Sequence, residues 1–268
     1  MKFYDGIRRI FAPPYDFIDR HKKFLNVLSK GDCAIQVGID MDSTTTSDVF
    51  HMAKMVGESG VVIGIDADPK NIVRARKMAE NYPCKVILIN KATYSQKSVL
   101  QMHIGKRAGW NRLEAVGVEV EEAEEVSKEK ITVEADTLDN ILSGLQIPYE
   151  QVSHINLTIN GAEYETLRGM TTLLEQSKDL SINVIAGRPG KVGIIHGMPD
   201  HEAIAGLLQQ YGFRTKFKRF KEFFWDGFIK YYLFKGVFRG KWRCHEIFRG
   251  VVMAKKGKKE FSLFESYS

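Results

Sequence analysis

The stretch Ala34-Ile35-Gln36-Val37-Gly38-Ile39-Asp40-Met41-Asp42-Ser43-Thr44-Thr45-Thr46-Ser47 decides how the rest of the chain reads. A short apolar run, one glycine and a burst of acids and hydroxyls precede an amphipathic stripe, which is the pattern of a β-strand, a turn and a helix start. Immediately downstream, Val49, Met52, Ala53 and Val56 recur at helical spacing. Gly60 then breaks the chain before the β-branched run 61–66, which reads as a buried parallel strand. Asp68-Pro69 supplies a cap and a first-turn proline for a helix carrying Ile72, Ala75, Met78 and Ala79 on one face. Residues 85–90 form a third apolar run. Two strand-helix-strand units in series predict an α/β fold with a doubly wound, mostly parallel sheet, because parallel neighbours need crossovers of this length. In such sheets ligands rest beyond the carboxyl ends of the strands, so the turn after Val37 is where a nucleotide-like ligand belongs.

The pattern continues to the far end of the chain. Residues 154–160 read as a fourth core strand, 161–170 as a turn and helix, 180–186 as a fifth strand, and 203–211 as a helix stopped by Gly212. Residues 213–217 and 247–254 supply the last strands, and 219–245 is an insertion between them. Between the third and fourth strands, 99–104 alternates like a strand and 131–134 reads as a short one. Residues 105–117, holding Trp110, Asn111 and Arg112, have no clear period. The charge run 119–130 reads as a solvated loop or helix. Residues 1–30 are expected to form a helical lead-in broken at Pro13-Pro14, and 31–268 one domain.

The 268 residues, 44% of them hydrophobic, suffice for one large core. Cys33, Cys84 and Cys244 lie far apart without a CxxC pair, so neither a disulfide framework nor a structural metal is expected. Neither a membrane-spanning run nor a signal-peptide core is visible, and the expected location is cytoplasmic. The net charge of +6 is concentrated in residues 214–260, which hold 15 Lys and Arg against 4 Asp and Glu, with 12 of the 29 aromatic residues. At helical spacing Phe217, Phe220, Phe224, Phe228, Tyr231 and Tyr232 share one face. Such a basic, aromatic face fits packing on the domain, self-association through 217–243, or a peripheral place on an anionic membrane surface. A nucleic-acid-binding motif is absent.

Asp66 is the strongest candidate site residue. An acid at the end of the second strand, some 20 to 30 residues past the glycine turn, accepts hydrogen bonds from ribose hydroxyls in nucleoside sites. Capping the next helix is the alternative role, and Asp68 fits that one better. Neither GxGxxG nor GxxxxGK[ST] occurs, and Asp40 and Asp42 would repel a diphosphate. S-adenosylmethionine carries ribose and adenine but no phosphate, and its ammonium and sulfonium charges tolerate nearby carboxylates.

Five ordered blocks then carry a resemblance. They are Ile35-Gln36-Val37-Gly38-Ile39-Asp40-Met41-Asp42-Ser43, Gly60 through Pro69, Asn90-Lys91-Ala92, Thr137-Leu138-Asp139, and Ile155-Asn156-Leu157-Thr158-Ile159-Asn160-Gly161-Ala162-Glu163. Over about residues 31–216 the chain resembles the FkbM-type S-adenosylmethionine-dependent methyltransferases. That resemblance implies a Rossmann-like class I methyltransferase sheet of seven strands, the last antiparallel. It also implies O-methylation of a sugar, glycan or lipid-linked hydroxyl, a small-molecule or glycan substrate, and S-adenosylmethionine as cofactor. Gln36, Gly38, Asp40, Ser43, Asp66, Ala67, Asn90, Ala92 and Thr93 would border the cofactor. Thr158, Asn160, Glu163 and His196 would lie nearest the acceptor. The chain departs from the family where Gln36 replaces an acid, Ile39 a small residue, Asp40 an Asn and Asp42 a Gly. Asn156, Thr158 and Asn160 stand where Lys, Asp and Glu are usual. These neutral replacements keep a second expectation open: a non-catalytic protein that retains the fold with weakened cofactor binding and serves as a membrane- or protein-interaction module.

Overall fold

The computed structural model describes residues 27–41, 47–105, 111–114, 126–186, 198–219 and 250–261, with the backbone alone at 126–128. The opening apolar run is strand β1 (Cys33–Val37), buried at every position. It leads through the turn to helix α1 (Asp48–Val56), and β2 (Val61–Asp66) follows. Helix α2 (Pro69–Ala79) starts where the sequence places it: the Asp68 carboxylate accepts the Lys70 N–H and Pro69 fills the first turn. Next come β3 (Lys85–Asn90), β4 (Ala92–Thr93), β5 (Ser98–Gly105), β6 (Arg112–Leu113) and β7 (Val126–Asp136). The chain continues through α3 (Leu138–Gly144), β8 (Val152–Leu157), α4 (Glu163–Arg168), α5 (Thr171–Gln176) and β9 (Ser181–Ala186). It closes with α6 (Asp200–Gln210), β10 (Arg214–Arg219) and β11 (Gly250–Lys255).

Seven strands form the main sheet in the order β10-β11-β9-β8-β1-β2-β3. Every pairing is parallel except those of β11, which runs antiparallel to both β9 and β10. This is the doubly wound sheet with an antiparallel last strand that the sequence predicts. Order reverses at β1, where the chain steps to β2 on one side and β8 lies on the other, leaving a crevice at the carboxyl ends. One core, built on Ile35, Leu157, Ile182 and Leu208, packs α3 to α6 against one face of the sheet. A second, built on Ala34, Ile39, Phe50, Met52 and Ile72, packs α1 and α2 against the other.

Strands β4, β7, β5 and β6 make a separate four-stranded sheet between β3 and β8 in sequence. Here the charge run departs from expectation. Its end is strand rather than loop or helix, because β7 pairs antiparallel with β5 from Val126 to Ala135. The fourth core strand is also shorter at its carboxyl end than the apolar pattern suggests. β8 stops at Leu157, and the left-handed Gly161 (φ +98°) turns the chain into α4. Thr158 still donates its N–H to the Val37 carbonyl of β1, and Thr158, Ile159 and Asn160 line the crevice. The expected lead-in over 1–26, the insertion beyond residue 219, Ser43 and His196 lie outside the described residues.

Candidate active site

A cavity of about 80 Å³ opens at the carboxyl ends of β1, β2 and β8. The turn after β1 contributes Gly38 and Asp40, the end of β2 contributes Asp66 and Ala67, and the residues beyond β8 contribute Thr158 and Asn160. The small sheet closes the opposite wall with Ala92 and Thr93 from β4, Met102 from β5, and Asn111, Arg112 and Leu113. Ala92, Met102, Leu113 and Ala162 belong to one apolar cluster, with Ala67 and Ile159 packed on it. The lining thus combines an apolar cluster with carboxylates, amides and the cationic side chains of Lys91 and Arg112.

Asp66 is the hub of the polar side. One carboxylate oxygen accepts the Ile39 N–H at 2.6 Å and the other the Asp68 N–H at 2.7 Å. Burial nevertheless pushes this carboxyl up to about 7, against the lowering effect of these N–H bonds and of the Asn71 amide; the neighbouring Asp68 adds to the rise. With three donors on about four acceptor sites, the carboxylate keeps capacity for one hydroxyl of a ligand. Asn90, exposed at the end of β3, donates to the carbonyls of Asp66 and Ala67 and props this turn from outside the cavity. Lys91 lines the cavity and bridges to Asp136 at 2.9 Å. Burial raises the Asp136 carboxyl, but hydrogen bonds from Lys91, Asn140 and the Thr137 N–H outweigh it and hold it below its ordinary value.

Beneath the first turn lies a network of neutral groups. Gln36 and Asn156 are register partners on β1 and β8, both buried, and the Asn156 amide donates to Gln36 Oε1 at 2.8 Å. Gln36 Nε2 donates in turn to the Gly38 carbonyl and to Thr158 Oγ1, each at 2.7 Å. Thr158 Oγ1 also lies 3.0 Å from the Gly38 carbonyl. Two of the departures noted in the sequence thus sit side by side: where the family pattern has an acid and a lysine, an amide pair bridges the same two strands. Ile39 lines the cavity, yet it is buried, with its side chain packed beside Gly64 in the second core.

On the acceptor side, Asn160 Nδ2 donates to the Asn111 carbonyl at 2.9 Å. Glu163, buried at the start of α4, accepts the Gly161 N–H at 2.8 Å and so braces the turn. Asp139, from the Thr137-Leu138-Asp139 block, accepts the N–H groups of Thr172 and Leu173 and holds the start of α5. Among the described residues no histidine lines the cavity, and no cluster of His, Cys, Asp or Glu could hold a metal ion.

No family model and no curated protein sequence matches the chain. Solved structures do resemble it in chain path. A putative rRNA methylase from Clostridium thermocellum is 16% identical, with 90% of this chain and 94% of that one covered and a TM-score of 0.47. A SAM-dependent methyltransferase from Aquifex aeolicus is 14% identical, with coverages of 94% and 97% and a TM-score of 0.42. Fibrillarin from Aeropyrum pernix, solved with natively bound S-adenosyl-L-methionine, is 10% identical, with coverages of 88% and 76% and a TM-score of 0.44. Nothing about ligand or reaction follows from likenesses of this degree.

The cavity brings together Gly38, Asp40, Asp66, Ala67, Ala92, Thr93, Thr158 and Asn160 from the residues singled out in the sequence. It does not bring in Gln36, Asn90 or Glu163, which support its walls from behind. Met102 and the 111–113 segment are additions that sequence reasoning missed, while Lys91 stood in the Asn90-Lys91-Ala92 block. The only signal was an Asn-Arg pair in a stretch with no period.

Proposed function

We propose that this protein is an S-adenosylmethionine-dependent methyltransferase. The observation that carries the reading is Asp66. It stands at the end of β2, on the rim of a cavity beside the strand-order reversal, where a carboxylate can accept a ribose hydroxyl. The residues present fit the nucleoside end of this cofactor: Ala67, Ala92, Met102 and Leu113 offer an apolar slot for adenine. Asp40, exposed at the turn, suits an ammonium better than a phosphate. When bound, S-adenosylmethionine supplies an electrophilic methyl group. This chain's own contribution would be to orient the donor and hold an acceptor oxygen in line with it, beside Thr158 and Asn160.

The finer reading follows the sequence blocks: an FkbM-type enzyme acting on a sugar, glycan or lipid-linked hydroxyl, with residues 217–243 placed against an anionic membrane or a second copy. No helix among the described residues is long and apolar enough to cross a membrane. Co-sedimentation with anionic and neutral vesicles tests the membrane placement, and an absence of preference for the anionic ones rejects it.

One observation favours the second reading, a fold kept without cofactor binding. The Gly38 carbonyl, in the turn where the methionine end would lie, already accepts from Gln36 and Thr158. Calorimetric titration decides between them. Binding of S-adenosylhomocysteine, lost in Asp66→Ala, supports the enzyme; no heat at millimolar ligand rejects it.

A further inference from the structure

The turn after β1 is held on both sides of Asp40 by the unit that carries Asp66. On one side the Ile39 N–H donates to Asp66 Oδ2 at 2.6 Å. On the other the Met41 carbonyl accepts from Arg74 Nη2, also at 2.6 Å. Arg74 belongs to α2, the helix that follows β2, and stands three residues after Asn71, whose amide bonds the Asp66 carboxylate. Residues three apart are neighbours on a helix surface, so a single turn of α2 reaches both the ribose acid and the turn that carries Asp40. The helix is firm at this point. Asp68 caps its start, and Ile72 and Ala75 are buried in the second core. Arg74 itself is exposed, so it adds little to that core.

We infer that Arg74 is a positioning residue of the donor site: through the Met41 carbonyl it fixes the place of Asp40 relative to Asp66. The inference rests on the cofactor reading above. That reading gives Asp66 the ribose and Asp40 the ammonium of one molecule, so the interval between the two carboxylates has to match the ligand. A guanidinium-to-carbonyl hydrogen bond is charge-assisted and stronger than a neutral one, which suits it to holding a turn. With Ile39 tied to Asp66 and Met41 tied to α2, Asp40 has an anchored neighbour on each side. Loss of the Arg74 bond releases the Met41 side, and the free energy of ordering Asp40 again is then subtracted from binding. The nucleoside half is untouched by that loss, because Asp66 keeps its bonds to Ile39, Asp68 and Asn71. The effect is therefore confined to ligands that carry an amino-acid end.

The test titrates two probes that differ in that end. S-adenosylhomocysteine carries the ammonium, and methylthioadenosine keeps the adenosine and the sulfur without it. Arg74→Ala should bind S-adenosylhomocysteine about tenfold more weakly, the equivalent of one charge-assisted hydrogen bond. It should bind methylthioadenosine as tightly as the wild type does. Arg74→Gln, neutral and a good helix former, is expected to behave the same way and serves where the alanine variant folds poorly. In an Asp40→Ala background, Arg74→Ala should cost nothing further, because its effect passes through that carboxylate. Equal weakening of both probes overturns the inference, since Arg74 is then merely structural. Unchanged binding of S-adenosylhomocysteine overturns it too, as does a full cost retained in the Asp40→Ala background; all three leave the cofactor reading standing. Absence of S-adenosylhomocysteine binding by the wild type overturns the cofactor reading, and the positioning role with it.

Discussion

At Gly38 the backbone has φ +84°, and a Cβ there would lie 2.5 Å from the Thr158 carbonyl oxygen. The glycine of the first turn is thus demanded by the chain's own crossing of β1 and β8, before any ligand is considered. Gly38→Ala should cost at least about 2 kcal/mol in chemical denaturation, from left-handed strain and the clash together; a cost within experimental error would mean that the turn can rearrange. Asp66 poses the opposite balance, since its site raises the carboxyl to about 7 from an ordinary value of 3.8. A group raised on folding is most favourable below its unfolded value. Its contribution is lost as pH climbs from about 4 to about 7, with a slope approaching 1.4 kcal/mol per pH unit. The unfolding free energy of wild type minus that of Asp66→Asn should therefore fall across that window and level off above it; a flat difference would show an unshifted carboxyl. Ribose hydroxyls donate to the ionised form, so affinity for S-adenosylhomocysteine should rise about tenfold between pH 6 and pH 7.5, then plateau. A retained acid that is costly at neutral pH is what a binding role, rather than stability, would select.

Among the elements, β1 and β8 carry the most informative exchange. Position 36 read alone looks like a lost charge, and so does position 156. The register pairs them, and the Asn156 amide bonds the Gln36 oxygen while also lying 3.2 Å from Asp48 on α1. Pairing across strands is a long-range fact that no local window contains, which is why the compensation was not legible in the sequence. The strands and helices themselves were legible, because apolar runs, Asp68-Pro69 and the glycine turns act within a few residues. The small sheet was legible only in part, since Arg112-Leu113 gains its strand character from β5 rather than from its own pattern. A double-mutant cycle tests the pairing. Gln36→Glu alone should destabilise by roughly 3 kcal/mol, as an uncompensated buried charge does. Adding Asn156→Lys should recover at least half of that loss; strictly additive costs would show that the two positions act independently.

At the scale of the whole molecule, two sheets of unequal strength meet at the cavity. Among the described residues the main sheet is held from both faces by clusters that include Leu157 at 0% exposure, whereas the small sheet's cluster is smaller and includes Val133. Local opening free energies follow buried apolar contact, so the small sheet should open without the main one. Of the two walls of the cavity, the small-sheet side is therefore the one expected to open first, while Asp66 and the β1 turn stay with the main sheet. Hydrogen exchange on two core variants separates the units. Leu157→Ala should lower protection throughout β1, β2, β8 and β9, in step with a global loss of roughly 2 to 5 kcal/mol. Val133→Ala should accelerate exchange in β5, β6 and β7 while β1 and β8 keep wild-type protection. If Val133→Ala instead lowers protection in both sheets equally, the molecule opens as one unit, and neither wall of the cavity opens before the other.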